Sequence, residues 1–223
     1  MQDIQLSPHF KLKEFTKSRT ARENGIDNTP PPEAVENLRA LCSHTLEPLR
    51  EALCLPIIIT SGYRCKVLNE RITHHSATSQ HMSGCAADFY VGQGSVSGFK
   101  FQVSDAKPRA SGVKSEVSGF RFQVSDAKPR ASGVKSEVSG HHLELETGES
   151  PMKHETSSRR ELLIKAFRLI ITSEKIDYDQ VILYPTFIHV SYESRDKNRH
   201  RITKANGHGH YRALTREEAL KLV

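Results

Sequence analysis

The hydrophobic pattern divides the chain into a few strong elements. From Pro32 to Leu53, apolar residues at Val35, Leu38, Leu41, Cys42, Leu46 and Leu49 recur every three to four positions. That is the period of a helix with one buried face. Asn28-Thr29 and the proline run after them mark its start. Leu55 to Thr60 (LPIIIT) is a short β-branched run, which predicts a buried strand ending at Ser61-Gly62. Cys65 to Ile72 predicts a short helix, and Ala86 to Val91 (AADFYV) another strand. A second long helix is expected from Ser157 or Ser158 to about Glu174, with Leu162, Leu163, Ala166, Phe167, Ile170 and Ile171 turned inward. Asp179 to Tyr184 and Phe187 to Tyr192 then read as two strands joined at Pro185-Thr186. Helices and short strands in this order predict an α+β domain, a small antiparallel sheet flanked by helices. The tail from Glu193 to His210 is polar and basic and reads as a solvated surface.

One segment carries no such pattern. Val96 to Glu116 is repeated as Val117 to Glu137, with Arg121 in place of Lys100, and a third copy stops after Val138-Ser139-Gly140. A period near 20 can mark a solenoid, but about three units are needed for a stable stack. Each 21-residue copy has two Phe among Ser, Gly, Lys and Pro, too little apolar area to offset its ordering entropy. The expectation is therefore one domain over residues 1–223 with a long flexible insert at 92–157. A net charge of +6 raises the question of nucleic acid, but Val96 to Glu137 holds eight Lys or Arg against four Asp or Glu, so four of those six charges sit there. The rest of the chain is nearly balanced, and no nucleic-acid partner is expected.

At 36% hydrophobic and 26% charged residues, the composition is that of a globular domain with a real core. The longest apolar run, Leu162 to Ile171, is broken by Lys165 and Arg168, so no membrane span is expected. Met1 to Phe15 lacks the apolar block of a secretory signal. The expectation is synthesis in the cytoplasm, with any extracellular work needing another route out. Cys42, Cys54, Cys65 and Cys85 show no C-x-x-C spacing and read as free thiols in small buried sites.

The candidate chemistry lies in Ser79-Gln80-His81-Met82-Ser83-Gly84-Cys85-Ala86-Ala87-Asp88, which fits S-x-H-x-x-G-x-A-x-D. His81 falls in a loop, Gly84 allows a tight turn, and Ala86 and Ala87 let the backbone pack closely. Asp88 follows on the new strand, so an imidazole and a carboxylate can converge across a short reversal. Zinc accepts both at about 2.0–2.2 Å, and a catalytic zinc keeps one position for water. The strand Phe187-Ile188-His189-Val190-Ser191-Tyr192 supplies a third ligand. Ile188, Val190 and Tyr192 share one face, so His189 projects from the other beside Ser191. A His on a strand is more often structural, but the metal motif upstream favours a ligand.

This motif, followed at a distance by Ile188-His189-Val190-Ser191-Tyr192, resembles the D-alanyl-D-alanine carboxypeptidase family of zinc peptidases. That family shares its fold with the hedgehog domain and includes phage endolysins and D-Ala-D-Ala dipeptidases. Ser61-Gly62-Tyr63-Arg64 and the stretch from Phe15 to Asn28 extend the similarity. The resemblance implies His81, Asp88 and His189 as zinc ligands. It also implies Arg64 as the catalytic cation on a substrate carbonyl or carboxylate, and Ser79 as a support for a ligand. The implied activity is hydrolysis of peptidoglycan stem peptides, as a carboxypeptidase or an endopeptidase. Relatives place a carboxylate shortly before the last His as general base, yet Val181 to Ile188 contains none. Asp179, Tyr184, Glu193, His74 and His75 remain as candidates. The missing carboxylate leaves open a second reading, a non-catalytic zinc-stabilised module that binds peptidoglycan or another protein.

Overall fold

The computed structural model describes residues 3–73, 76–93, 151–206 and 209–222, with the backbone course alone for 151–157. The N-terminal stretch forms a two-stranded ribbon, β1 (Gln5–Ser7) and β2 (Phe10–Lys11), then two single-turn helices, α1 (Leu12–Thr16) and α2 (Arg19–Glu23). The long helix expected from Pro32 is continuous but not uniform. It runs as α3 (Pro32–Leu41), a π-helical turn at Cys42–Leu46, and α4 (Glu47–Leu53). Leu38, Leu41, Leu46 and Leu49 are fully buried along it, as the periodicity requires. Cys54 ends it in the left-handed conformation, at φ 53°.

The six-stranded sheet comprises β3 (Ile57–Ser61), β4 (Ala86–Val91), β5 (Gln180–Leu183), β6 (Ile188–Ser191), β7 (Arg201–Ala205) and β8 (Tyr211–Ala213). Its spatial order is β3-β4-β6-β5-β7-β8. Every neighbouring pair is antiparallel except β5 and β7, which run parallel, so the sheet is mixed. β7 corrects the expectation of a solvated tail from Glu193 to His210. Arg201-Ile202-Thr203-Lys204-Ala205 offers one large apolar residue to the eye, yet Ile202 and Ala205 are buried once β7 docks beside β5. A strand with so little apolar contrast leaves no period to read.

One face of the sheet makes the core. Ala87, Phe89 and Val91 of β4, Val181 and Leu183 of β5, and Ile188 and Val190 of β6 pack with Leu38, Leu41 and Leu49 of the first long helix. They also meet Leu163, Phe167 and Ile170 of α6 (Pro151–Thr172), which begins earlier than the expected Ser157 or Ser158. Short α5 (Lys66–Arg71) and α7 (Arg216–Leu220) complete the elements. Each fully buried Leu, Ile or Phe side chain contributes about 1.5–3 kcal/mol relative to exposure, which fixes the strand registers. No cysteine is disulfide-bonded; Cys42 and Cys85 are buried as expected, whereas Cys54 is exposed. Among the described residues no helix is long and apolar enough to cross a membrane. The 21-residue repeats at 96–116 and 117–137 lie outside the described residues.

Candidate metal centre

Strand pairing builds the site. The register sets Ser61 opposite Asp88, Asp88 opposite His189, His189 opposite Ile182, Ile182 opposite Thr203 and Thr203 opposite Ala213. This row crosses the whole sheet on the face away from the core. Directly opposed side chains on neighbouring antiparallel strands have Cβ atoms about 4.5–5.5 Å apart, so Asp88 and His189 meet by register. A register irregularity between Ile59 and Ser61 interrupts the ladder just before Ser61 pairs with Asp88.

His81 enters from the loop before β4. The turn that carries it closes at Gly84, whose φ of 76° suits a residue without a Cβ. Gly84 N donates to the His81 carbonyl at 3.3 Å and Arg64 N to the same oxygen at 3.1 Å. The His81 ring is buried, with Nδ1 2.7 Å from the Gly62 carbonyl. A carbonyl only accepts, so Nδ1 carries the proton and Nε2 presents its lone pair to the site.

Three ligand-type atoms therefore converge. His81 Nε2 lies 3.2 Å from His189 Nδ1 and 3.3 Å from Asp88 Oδ1, and His189 Nδ1 lies 2.8 Å from Asp88 Oδ1. Tetrahedral bonds of about 2.0–2.1 Å give edges of about 3.3–3.4 Å between donor atoms, close to the two His81 separations. Two imidazoles and one carboxylate also make a donor set that suits zinc. The three residues could hold a metal ion.

The surroundings prepare the protonation states that such a site needs. Burial pushes the His81 imidazole below its ordinary pKa, against the pull of Asp88. Burial would raise the Asp88 carboxyl, but at the low pH where it would titrate the imidazoles are protonated, and the charge of His81 with the hydrogen bonds from His189 and His81 then holds it well below the usual carboxylate range. A neutral imidazole beside an ionised carboxylate is the metal-binding state.

Arg64 stands in the same cluster. Its guanidinium donates to Asp88 Oδ2 at 2.7 Å and to Ser61 Oγ at 2.9 Å, which leaves Oδ1 turned to the histidines. Ser79 is half-buried on the cleft wall, and among the described residues no hydrogen bond joins its hydroxyl to His81, Asp88 or His189. The Gly62 carbonyl holds His81 instead. Asn28, which has no chemical signature of its own in the sequence, is also structural here. It donates to the carbonyls of Thr16 and Tyr63 and accepts from Cys65 N, tying the N-terminal stretch to the Gly62-Arg64 turn.

The cluster opens into a cleft of about 1200 Å³. Tyr184 and Tyr211 line it with their hydroxyls 3.2 Å apart, and Phe187 stacks on Tyr184. The remaining proton-acceptor candidates sort themselves by environment. Burial and the Tyr211 hydrogen bond push the Tyr184 phenol up, away from base duty. Asp179 is fully buried under hydrogen bonds from Arg199, Gln80 and Ser191. Burial works to raise its pKa, but the Arg199 and Gln80 bonds win and bring it to about 2. Glu193 lines the cleft and is exposed. His74 and His75 lie outside the described residues.

The fold and site define a mixed α+β domain with a His/Asp/His cluster that could hold a metal ion in a cleft. Residues 8–119, half of the chain, match the family model described as Peptidase M15, and the chain belongs to that family of zinc-dependent peptidases. The matched span contains Arg64, Ser79, His81 and Asp88; His189 falls beyond it and joins them through the sheet. No curated protein and no solved structure matches the chain.

Proposed function

We propose that the protein hydrolyses peptide bonds in peptidoglycan stem peptides, with zinc held by His81 Nε2, Asp88 Oδ1 and His189 Nδ1. The observation that carries this reading is the convergence of those atoms, 2.8–3.3 Å apart, at the foot of the cleft. Bound zinc would supply a Lewis acid and a water of lowered pKa. The chain's own residues do the rest. Arg64 keeps Asp88 single-pronged by occupying Oδ2, and its fixed positive charge faces the cleft where a substrate carbonyl or terminal carboxylate lies. Glu193 is the cleft carboxylate not engaged at the cluster, and it is our candidate acceptor for the proton of the attacking water. Tyr184, Phe187 and Tyr211 give the peptide an aromatic wall. Terminal trimming of D-Ala-D-Ala and internal cutting of a stem or crossbridge share this chemistry.

The test measures zinc content and cleavage of D-Ala-D-Ala dipeptides and purified muropeptides, with and without a chelator. One zinc per chain, chelator-sensitive cleavage, and loss of both in His81→Ala and His189→Ala are expected. Glu193→Gln should retain zinc and lose turnover by about 10²-fold or more. Stoichiometric zinc with no cleavage of any wall peptide would replace this reading with a non-catalytic, zinc-stabilised binding module. That alternative is motivated by the absence of a carboxylate between Val181 and Ile188.

A further inference from the structure

Asp179 is a candidate base by sequence, and its surroundings give it different work. It lies at the start of β5, fully buried, and receives five hydrogen bonds. Arg199 gives three, from its backbone N and from Nε to Oδ1 at 2.8 Å each, and from Nη2 to Oδ2. Gln80 Nε2 donates to Oδ2 at 2.9 Å, and Ser191 Oγ to the same oxygen at 3.4 Å. The Gln80 amide oxygen faces Arg199 Nη2 in turn, at 3.5 Å.

Two of these partners lie beside the histidines of the metal cluster. Gln80 immediately precedes His81, and Ser191 follows His189 by two positions on the same face of β6. The backbone repeats the linkage. Asp179 N donates to Ser191 O at 2.7 Å, Cys85 N to Gln80 O at 3.0 Å, and Tyr192 N to Cys85 O at 2.9 Å. One buried carboxylate thus joins the loop that carries His81 to the strand that carries His189. These two segments are separated by more than a hundred residues of chain and by the insert.

We propose that Asp179 is a positioning residue for the metal centre, setting the approach of His81 to His189 through Gln80 and Ser191, with Arg199 as its counter-charge. This rests on the zinc reading above. Convergent ligands need their loops held to a fraction of an ångström, and outer partners of ligating histidines typically change metal affinity 10–100-fold when removed. Gln80 is the informative position because it is half-buried and lies at the cleft edge rather than in the core.

The test is zinc titration of the full chain against a chromophoric chelator, paired with thermal unfolding of the zinc-free protein. Gln80→Leu removes the amide and shortens the side chain by one atom while keeping its branched, apolar-compatible shape. It should weaken zinc binding about tenfold or more while the zinc-free melting temperature stays within about 2 °C of wild type. Asp179→Asn should weaken zinc similarly, and adding Gln80→Leu to it should cost little more, because both act on one linkage. Wild-type zinc affinity in folded Gln80→Leu overturns the proposal even if Asp179→Asn does not fold. So does a lower melting temperature with unchanged affinity, the signature of a structural role alone. A wild-type chain that binds no zinc sinks the zinc reading itself, and this inference with it.

Discussion

Gly84→Ala tests whether the metal motif is written by backbone sterics as much as by its ligands. Two separate costs apply. Gly84 sits at φ 76°, where an L side chain costs roughly 1–2 kcal/mol. A Cβ there would also fall on the Ala34 carbonyl oxygen and lie 3.0 Å from the Ala34 carbonyl carbon and Cα. Ala34 belongs to the first turn of α3, which Leu38 and Leu41 anchor in the core, so that neighbour cannot yield cheaply. Overpacking of this kind costs about 1–3 kcal/mol. The total of about 2–5 kcal/mol translates, at about 2–4 °C per kcal/mol for a domain of this size, into a fall of about 4–20 °C. Gly25→Ala separates the terms. Gly25 has φ 62° but nothing within 4 Å of the place where an added methyl would stand, so only the conformational cost applies and the fall should be about 2–8 °C. Thermal unfolding of zinc-free protein reads both. A Gly84→Ala protein that melts within about 2 °C of Gly25→Ala, on the order of measurement scatter, refutes the steric argument.

Gly62→Ala should act on the metal through His81. Its Cβ would stand 2.5 Å from Phe15 Cβ and 2.6 Å from the Phe15 carbonyl, displacing the Gly62 oxygen that holds Nδ1. Zinc affinity measured by chelator competition should fall about 10–100-fold; an unchanged value would show that His81 is oriented by something else. The folded protein should also lose stability towards acid in two windows. His81 has a lowered folded pKa, so the unfolded imidazole takes up a proton that the folded one refuses, and zinc-free stability falls as pH drops below about 6.5. Asp179 is held at about 2, so its contribution is present above the ordinary carboxylate value and disappears as pH falls from about 4 towards 2. Denaturant titrations across pH check both: His81→Gln should flatten the first window, and Asp179→Asn should reduce the second by about 2 kcal/mol. Slopes identical to wild type would contradict these environments.

How much of this is legible in the sequence depends on what each residue does. Leu38, Leu41 and Leu49, and the β-branched strands at Ile57 and Val181, announce themselves because burial imposes a period. His81 and Asp88 are legible because a local turn with Gly84 brings them together over eight positions. The β7 and β8 strands are not, since short strands near the sheet's edge with little apolar contrast look like surface. Arg199 is hidden for the same reason: a basic residue in a basic tail carries no mark of the buried carboxylate it meets. Asp179 is legible as an acid near the site, but spacing cannot tell a free base from one saturated by five donors. Nor can it show that the Gly62 carbonyl, rather than the Ser79 hydroxyl, supports His81, because a backbone acceptor leaves no signature in residue type.

His189 shows how a site can be completed from outside its own motif. It stands beyond the span matched to the family, and nothing local brings it to Asp88. What does so is the pairing of β4 with β6, and that pairing is fixed by Ile188 and Val190, both fully buried on the core face. A slip of one residue would turn His189 into the core and expose those two side chains, at about 1.5–3 kcal/mol each. The hydrophobic alternation that makes this strand readable is therefore also the force that aims His189 at Asp88. Polar substitution at Val190, remote from the chemistry, acts on the metal by loosening that register, whereas substitution at exposed Tyr90 on β4 does not.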